Sequence, residues 1–531
     1  MSATPAGPRR SGSLPRLVVT GSSGFLGRHL LARIRNDYRI YGIARRSQAR
    51  SGAPVHPNIS WDLIDIGDRP GVFEAFRRIA DEGPVEAIIH LAAHYDFTGE
   101  PHREYTRTNV EGLRNVLEAA RMVRPQRFVF ASSVAACKFP APGEALTEKS
   151  APDGIEPYSV SKRLGEAMLR EYEADFPHCI VRFAAMFSDW CEYPPLFVFL
   201  RTWLSTAWNR RILGGRGRFG VPYLHVRDAA LFMMRLLDRM HTLPSGQVLL
   251  ASTDGSTSVG ALFKAATEHT SGRAESFLYL PRPVCAVGMA AREVAGRMAG
   301  QPPFERAWMA RYIDRQLTVD ASYTRGLLGW KPRERLMLPR RLPFLLENRR
   351  YDPLHWRQLN HEAMKHEDLS ANLKVHRLLQ RHENEIADRL ARTILDDPSG
   401  FPSYAALERD VLRLNSRTAL RSLMTSVMTQ DKTVYVSFCR DLAERRHVEG
   451  FAEDEVCGAL RLLREISMEV TLADPEAHDV ADDLEHLVSS TLRFGCDSVE
   501  DVFDQLGNDQ RHNGLWPAQP EAATELEETR R

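Results

Sequence analysis

Residues 16–35 read Arg-Leu-Val-Val-Thr, then Gly-Ser-Ser-Gly-Phe-Leu-Gly, then Arg-His-Leu-Leu-Ala-Arg-Ile-Arg. A β-branched run ends in a turn built on Gly21, Gly24 and Gly27, after which Leu26, Leu30, Leu31 and Ile34 recur at helical spacing. The pattern predicts strand, glycine turn, helix. In such a unit Gly21 permits the tight turn, Gly24 lets the backbone approach a pyrophosphate, and Gly27 lets helix and strand pack closely. The helix N-terminus adds N–H donors and a positive dipole. A glycine turn that binds nothing is the bland alternative, but the clean strand and helix on either side favour a dinucleotide.

Working outward, strands are expected at 39–44, 59–63, 86–93 and 127–133, with a helix over 103–124. This alternation means an α/β, Rossmann-type, doubly wound parallel sheet, whose ligands bind beyond the carboxyl ends of the strands, where Gly21, Ala92 and Ser133 fall. The second strand ends in Ala44-Arg45-Arg46, where an NAD site would place an acidic residue for the ribose 2′-hydroxyl. Two arginines there suit a 2′-phosphate, so NADP is the expected cofactor, with NAD left open. Asp62, ending the third strand, is placed to touch the adenine, and small Ala92 and Ala93 leave room for the cofactor backbone. Pro157-Tyr158-Ser159-Val160-Ser161-Lys162 then opens a helix. Residues four apart share a helix face, so Lys162 would lower the pKa of the Tyr158 phenol and make it a usable acid/base, with Ser133 facing the same crevice.

The Thr20-Gly21-x-x-Gly24-Phe25-x-Gly27 turn, His90-Leu91-Ala92-Ala93, Asn109, Ser132-Ser133 and Tyr158-x-x-x-Lys162 together resemble the extended short-chain dehydrogenase/reductases, the NAD(P)-dependent epimerase/dehydratase group. Arg182, His225-Val226-Arg227-Asp228-Ala229 and Leu328-Gly329-Trp330-Lys331-Pro332 agree with it. The resemblance implies Tyr158 as general acid/base, Lys162 on the nicotinamide ribose, Ser133 rather than Ser132 polarising the substrate oxygen, and Asn109 supporting the proton relay. It implies a cofactor lying over Gly21, Ser23, Gly24, Phe25, Leu26 and Gly27. Arg45 or Arg46 would stand near the adenosine ribose, Asp62 and Leu63 at the adenine, and Leu91, Ala92 and Ala93 along the backbone. A homodimer is the family expectation.

The departures from the pattern also inform. Val134-Ala135 stands where sugar-nucleotide dehydratases carry an Asp-Glu pair, and elimination of water needs its own positioned acid and base. Ala136-Cys137-Lys138 and Phe183 weaken the sugar-nucleotide case further. The apolar stretch 187–208 suits either an apolar substrate pocket or lobe packing, and with 280–300 and 320–323 it looks more like the hydroxysteroid-dehydrogenase and flavonoid-reductase side of the family. Arg216 and Arg218, in a glycine loop, suit either a substrate diphosphate or a solvated hairpin. The expected activity is NADP-preferring hydride transfer between nicotinamide and a carbonyl or secondary alcohol. An NAD-dependent nucleotide-sugar epimerase and a non-catalytic NADP(H)-sensing regulator are the alternatives.

The chain has 531 residues, too many for one core. The expected division is a tail over 1–13, the dinucleotide-binding domain over 14–345 with its substrate lobe from about 183, an all-α domain over 352–510, and a charged, disordered tail over 511–531. A helical stretch around 445–464 loosely resembles stress-response sensor domains of the RsbR type, which would make it a docking or sensing module for a regulatory partner. With 70 basic against 69 acidic residues, no global field recruits nucleic acid. Seven cysteines with no C-x-x-C pair suit a reducing, cytoplasmic setting without structural zinc, and no metal-ligand set is expected among the histidines. Arg9-Arg10 is read as part of the tail rather than as a twin-arginine signal. The apolar run 283–299 is interrupted by Arg292, Glu293 and Arg297 and reads as an amphipathic helix, not a membrane span.

Overall fold

Seven strands form one parallel sheet: β1 (Arg16–Thr20), β2 (Arg39–Ala44), β3 (Ile59–Leu63), β4 (Ala87–His90), β5 (Arg127–Ser133), β6 (His178–Phe183) and β7 (Gln247–Ala251). Their order is β7-β6-β5-β4-β1-β2-β3, so the chain reverses direction across the sheet between β1 and β4. The computed structural model describes residues 14–298, 303–364 and 371–512. The chain divides into two units between residues 367 and 368.

Because both faces of the sheet are covered, the middles of the strands are largely apolar, and their side chains alternate with period two. Leu17, Val19, Ile40, Ile89, Val129 and Val181 pack on one face with the helices Phe25–Ile34 and Val226–Arg239. Val18, Tyr41, Ile43, Ile88, Phe128 and Phe130 pack on the other with Arg69–Asp81, Gly112–Val123 and Pro157–Glu171. The register aligns Thr20 with both Ile43 and His90, which brings the carboxyl ends of β1, β2 and β4 level.

Two details differ from the sequence reading. β4 stops at His90 rather than 93, because Leu91 N takes the Thr20 carbonyl at 3.0 Å and β1 then turns away at Gly21, leaving the next residues no strand to pair with. The helix expected from 103 winds as a π-helix over Tyr105–Glu111 before continuing as α-helix over Gly112–Val123. π-Segments of this kind concentrate at functional sites.

The smaller lobe is built from short strand pairs, among them Ala185–Phe187 with Tyr223–His225 and Ile212–Gly214 with Leu278–Leu280, around Phe187, Phe197, Trp203 and Phe263. The helix Pro353–Met364 also belongs to this first unit. Trp356 packs against Phe197 in a tilted ring contact at 4.8 Å and Asn360 Nδ2 donates to the Trp190 carbonyl at 2.7 Å, so apolar burial carries the unit past the expected boundary at 352. Asp352 marks a helix start as its sequence suggests, its carboxylate accepting from His355 N at 2.9 Å.

The second unit is all-helical within its described residues, around Leu390, Leu423, Tyr435, Leu463 and Val488. Two helices expected at 480–492 and 498–506 are one, Ala481–His512. Gly495 does not break it. A Cβ there would lie 2.6 Å from the Tyr435 ring, so the glycine serves close helix packing instead. The tail expected over 511–531 falls, from residue 513, outside the described residues, as does that over 1–13. All seven cysteines are buried thiols, and no helix among the described residues is long and apolar enough to cross a membrane.

Candidate active site

A cavity of about 1660 Å3 opens beyond the carboxyl ends of β1, β4 and β5. One end is the glycine turn. Gly21 has φ of +72°, and a Cβ there would stand 2.5 Å from Ala92 N; a Cβ on Gly27 would stand 2.5 Å from the Gly21 carbonyl. Gly24 is the N-cap of the helix Phe25–Ile34, which has no side-chain cap and no acidic residue in its first turn. Its N–H groups and dipole are therefore left for an anion. This cradle fits a dinucleotide pyrophosphate, and Gly21, Ser23, Gly24, Phe25, Leu26 and Gly27 all line the cavity, as do Leu91, Ala92 and Ala93.

At the end of β2, Arg45 and Arg46 line the cavity as the sequence reading expects. Arg46 Nη2 donates to the Ser23 carbonyl, tying the arginine to the glycine turn. Arg45 is about half exposed and stands 3.9 Å from Asp65 and 3.5 Å from Glu104. Asp62 and Leu63 are a correction. Neither lines the cavity: the Asp62 carboxylate pairs with Arg78, and Leu63 is 63% exposed. Ile64 and Ile66, just past the strand, provide that wall instead.

Toward the centre, Ser133, Tyr158 and Lys162 converge on the cavity. β5 ends at Ser133, whose hydroxyl accepts from Ala135 N at 3.1 Å and which faces the same cavity as the Tyr158 phenol. Burial pushes the Tyr158 pKa up to about 12, with Ser133 opposing the rise. Lys162 Nζ donates to the Ala131 carbonyl at 2.6 Å, with its own pKa lowered by burial to about 8. The expected depression of the phenol pKa by the ammonium is thus not what dominates: desolvation of the ring outweighs it. Ser132, one residue earlier and on the opposite side of the pleat, donates instead to Glu166 at 2.6 Å. Glu166 is gripped by Arg182 through bonds of 2.9 and 2.7 Å in a buried ion pair.

Asn109 does not line the cavity, and its amide is fully committed. Its oxygen accepts from His94 N at 2.6 Å, while Nδ2 donates to the His94 carbonyl and to Ser161 Oγ, both at 2.9 Å. Ser161 Oγ donates in turn to the Tyr158 carbonyl at 2.7 Å. Asn109 therefore fixes the backbone of the loop after β4 and of the tyrosine-bearing helix; in place of the relay contact expected for it, it is a positioning residue. Arg216 and Arg218 are exposed and absent from the cavity wall; their backbone N–H groups instead hold the Asp314 carboxylate at 2.8–3.1 Å.

The family model described as "NAD dependent epimerase/dehydratase family" matches residues 17–251. Residues 17–251 belong to that family. The chain is 25% identical over 237 residues to an uncharacterised 37.6 kDa protein of Escherichia coli O111:H-, covering 42% of this chain and 69% of that one. It is 31% identical over 120 residues to a 3-beta-hydroxysteroid dehydrogenase of Mycolicibacterium neoaurum, covering 23% and only 32% respectively. A putative UDP-glucose 4-epimerase of Methanocaldococcus jannaschii is 24% identical over 276 residues, 50% of this chain and 86% of that one. Among solved structures, UDP-glucose 4-epimerase of Thermotoga maritima with UDP-glucose is 21% identical, with a TM-score of 0.49, 64% of this chain and 99% of that one being covered.

One wall of this cavity was not expected from the sequence. In the loop after β4, Tyr95 and Phe97 face the cavity, Tyr95 with its ring centroid 4.1 Å from that of Tyr158 and 4.4 Å from that of Phe97. His94, Asp96 and Thr98 alternate with them and bond to one another: Asp96 Oδ1 accepts from Thr98 N and Oγ, and Oδ2 lies 3.2 Å from His94 Nε2. The polar-aromatic alternation 94–98 is the signal that could have found it. His94, Asp96 and His102 offer ligand atoms within 4.8 Å of one another. Two of the three are already paired together, and the group acts as a brace behind Tyr95 and Phe97.

Proposed function

We propose that the protein is an oxidoreductase moving hydride between a nicotinamide dinucleotide and a carbonyl or secondary alcohol, with Tyr158 as general acid/base. The observation that carries this reading is the convergence of Ser133, Tyr158 and Lys162 on the cavity that also holds the glycine cradle. The dinucleotide, when bound over Gly21, Gly24 and Gly27, supplies or accepts the hydride. Ser133 orients the substrate oxygen, Tyr158 gives or takes its proton, and Lys162, beneath the Tyr158 ring at 5.8 Å, is the positive group that steadies phenolate as it forms. Arg45 and Arg46, with no acidic residue at the end of β2, support NADP over NAD.

A second reading, an epimerase that oxidises and re-reduces one carbon without releasing its dinucleotide, is favoured by the family match and by the epimerase relatives. Denaturing the freshly purified protein and quantifying released nucleotide, then titrating apo-protein with NADP(H) and NAD(H), separates the two. Exchangeable NADP(H) supports the reductase. Tightly retained NAD supports the epimerase and removes the role given to Arg45 and Arg46, and binding of neither removes both readings.

A further inference from the structure

Building on the hydride-transfer reading above, we propose that the substrate presents an apolar, ring-bearing ketone or secondary alcohol to Tyr158. The space facing Tyr158 is walled by rings: Tyr95 at 4.1 Å, Phe97 at 4.4 Å from Tyr95, then Tyr193 and Phe304 at 5.9 and 5.8 Å from Phe97. These spacings are those of mutually packed aromatic rings in tilted and edge-on contact, and an apolar ring can join such a cluster. The loop that carries Tyr95 and Phe97 is braced from behind, Trp308 Nε1 donating to the Thr98 carbonyl at 2.7 Å and Asn109 holding His94 at both its backbone groups. The box is thus a built feature.

The carboxylates that line the cavity are already paired, Asp96 with His94 and Glu305 with Arg292, while Arg282 and Arg315 stand exposed in the same wall. Glu192 pairs with Arg28 and accepts from Ser188 Oγ, and Glu156 accepts from the Tyr312 hydroxyl at 2.7 Å and pairs with Arg311 at 3.1 Å. A hydroxylated sugar ring set against Tyr158 would lose its water to aromatic faces and committed carboxylates, whereas an apolar ring loses nothing there. Trp208, Ile155 and Val284 line the cavity while being 88%, 56% and 54% exposed, which sets large apolar side chains at its mouth beside Arg282 and Arg315. In the oxidative direction the secondary alcohol loses hydride from carbon to the oxidised dinucleotide and its hydroxyl proton to Tyr158, giving ketone, reduced dinucleotide and one proton.

The test uses the full chain with NADP+ and NAD+ in parallel. Reduced nucleotide is followed at its near-ultraviolet absorbance with 1-tetralol or cyclohexanol, and UDP-glucose is assayed both for oxidation and for conversion to UDP-galactose. We expect kcat/KM for 1-tetralol at least tenfold above that for cyclohexanol, and UDP-glucose unchanged. Phe97→Ala should lower kcat/KM for 1-tetralol at least tenfold with the dinucleotide Kd within twofold of wild type, and Phe97→Leu should recover part of the loss. Turnover of UDP-glucose with 1-tetralol inert, equal use of 1-tetralol and cyclohexanol, or an unchanged Phe97→Ala variant overturns the substrate class while leaving hydride transfer standing. Bound dinucleotide with none of the three alcohols reacting overturns it as well. Failure to bind either dinucleotide overturns the hydride-transfer reading itself.

Discussion

Ser132 and Ser133, adjacent at the end of β5, take different partners: Ser132 Oγ donates to Glu166 at 2.6 Å, and Ser133 Oγ accepts from Ala135 N at 3.1 Å. Strand pleating sends the first into the buried Arg182–Glu166 pair and the second into the cavity. The two alanine variants should therefore separate. Ser133→Ala should lower kcat by about 10²-fold with stability near wild type, since it removes the group that orients the substrate oxygen. Ser132→Ala should leave kcat within a few-fold but cost about 1–3 kcal/mol in chemical denaturation, since Glu166 loses a buried donor. The reverse pattern would transfer the catalytic role to Ser132.

Tyr158→Phe keeps the ring against Tyr95 and removes only the hydroxyl. Turnover should fall by at least about 10²-fold, the low end of the range for general acid–base catalysis. Dinucleotide affinity should stay within a few-fold. Steady-state rates beside a fluorescence titration of NADPH check both, and retained turnover removes the acid/base role.

Lys162 gives stability a pH signature. Its pKa is lowered by burial from 10.5 to about 8. Below pH 8 the amine is charged in both folded and unfolded chain, and the native state bears its desolvation. Between about pH 8 and 10.5 the unfolded chain holds a proton that the native one does not, so this group makes stability rise with pH, by on the order of 3 kcal/mol across the window. Lys162→Met removes the titration while forfeiting the bond to Ala131. Its stability relative to wild type should thus be highest below pH 8 and decline toward pH 10.5. Melting temperatures of both proteins from pH 7 to 10 show this, and a pH-independent difference would mean that burial does not hold the pKa down.

Arg46 is tied to the Ser23 carbonyl and stands where an NAD site carries an acid. Arg46→Asp should raise the Kd for NADP(H) at least tenfold while leaving that for NAD(H) unchanged or lower. Equal weakening of both would make Arg46 a brace for the glycine turn and not a reader of the 2′-phosphate.

Much of this was legible before the structure because it depends on local geometry. The period-two apolar strands, the glycine turn and the Tyr158–Lys162 spacing are each fixed within a few residues, and the sheet and the grouping of Ser133, Tyr158 and Lys162 on one cavity follow from them. Asp62 was misplaced because whether a strand-end carboxylate faces a ligand or a helix depends on Arg78, sixteen residues on. Asn109 lost its relay contact to long-range backbone partners, and the rise of the Tyr158 pKa reflects desolvation by residues scattered along the chain. The His225–Asp228 motif is likewise structural: Asp189 bonds to His225 and pairs with Arg227 and Arg341, and Asp228 holds Arg333. A motif can thus identify a fold through residues that never meet the ligand.

Gly21 and Gly24 allow the cradle to be separated from the turn. At Gly21 a side chain would force a left-handed backbone on an L-residue, worth about 1–2 kcal/mol, and drive a Cβ to 2.5 Å from Ala92 N, backbone that cannot step aside. Gly21→Ala should therefore lower stability by more than about 2 kcal/mol and abolish dinucleotide binding with it. At Gly24 the backbone is extended, φ −76°, and a Cβ would meet only the Gly21 carbonyl at 3.0 Å. Gly24→Ala should stay within about 1 kcal/mol of wild type, yet weaken dinucleotide binding at least tenfold, because the methyl would occupy the surface a pyrophosphate needs. Thermal melts and NADPH titration of the two variants read stability and affinity independently. If Gly24→Ala bound the dinucleotide as tightly as wild type, the phosphates could not lie against this turn, and the helix N-terminus at Phe25 would lose its place in the site.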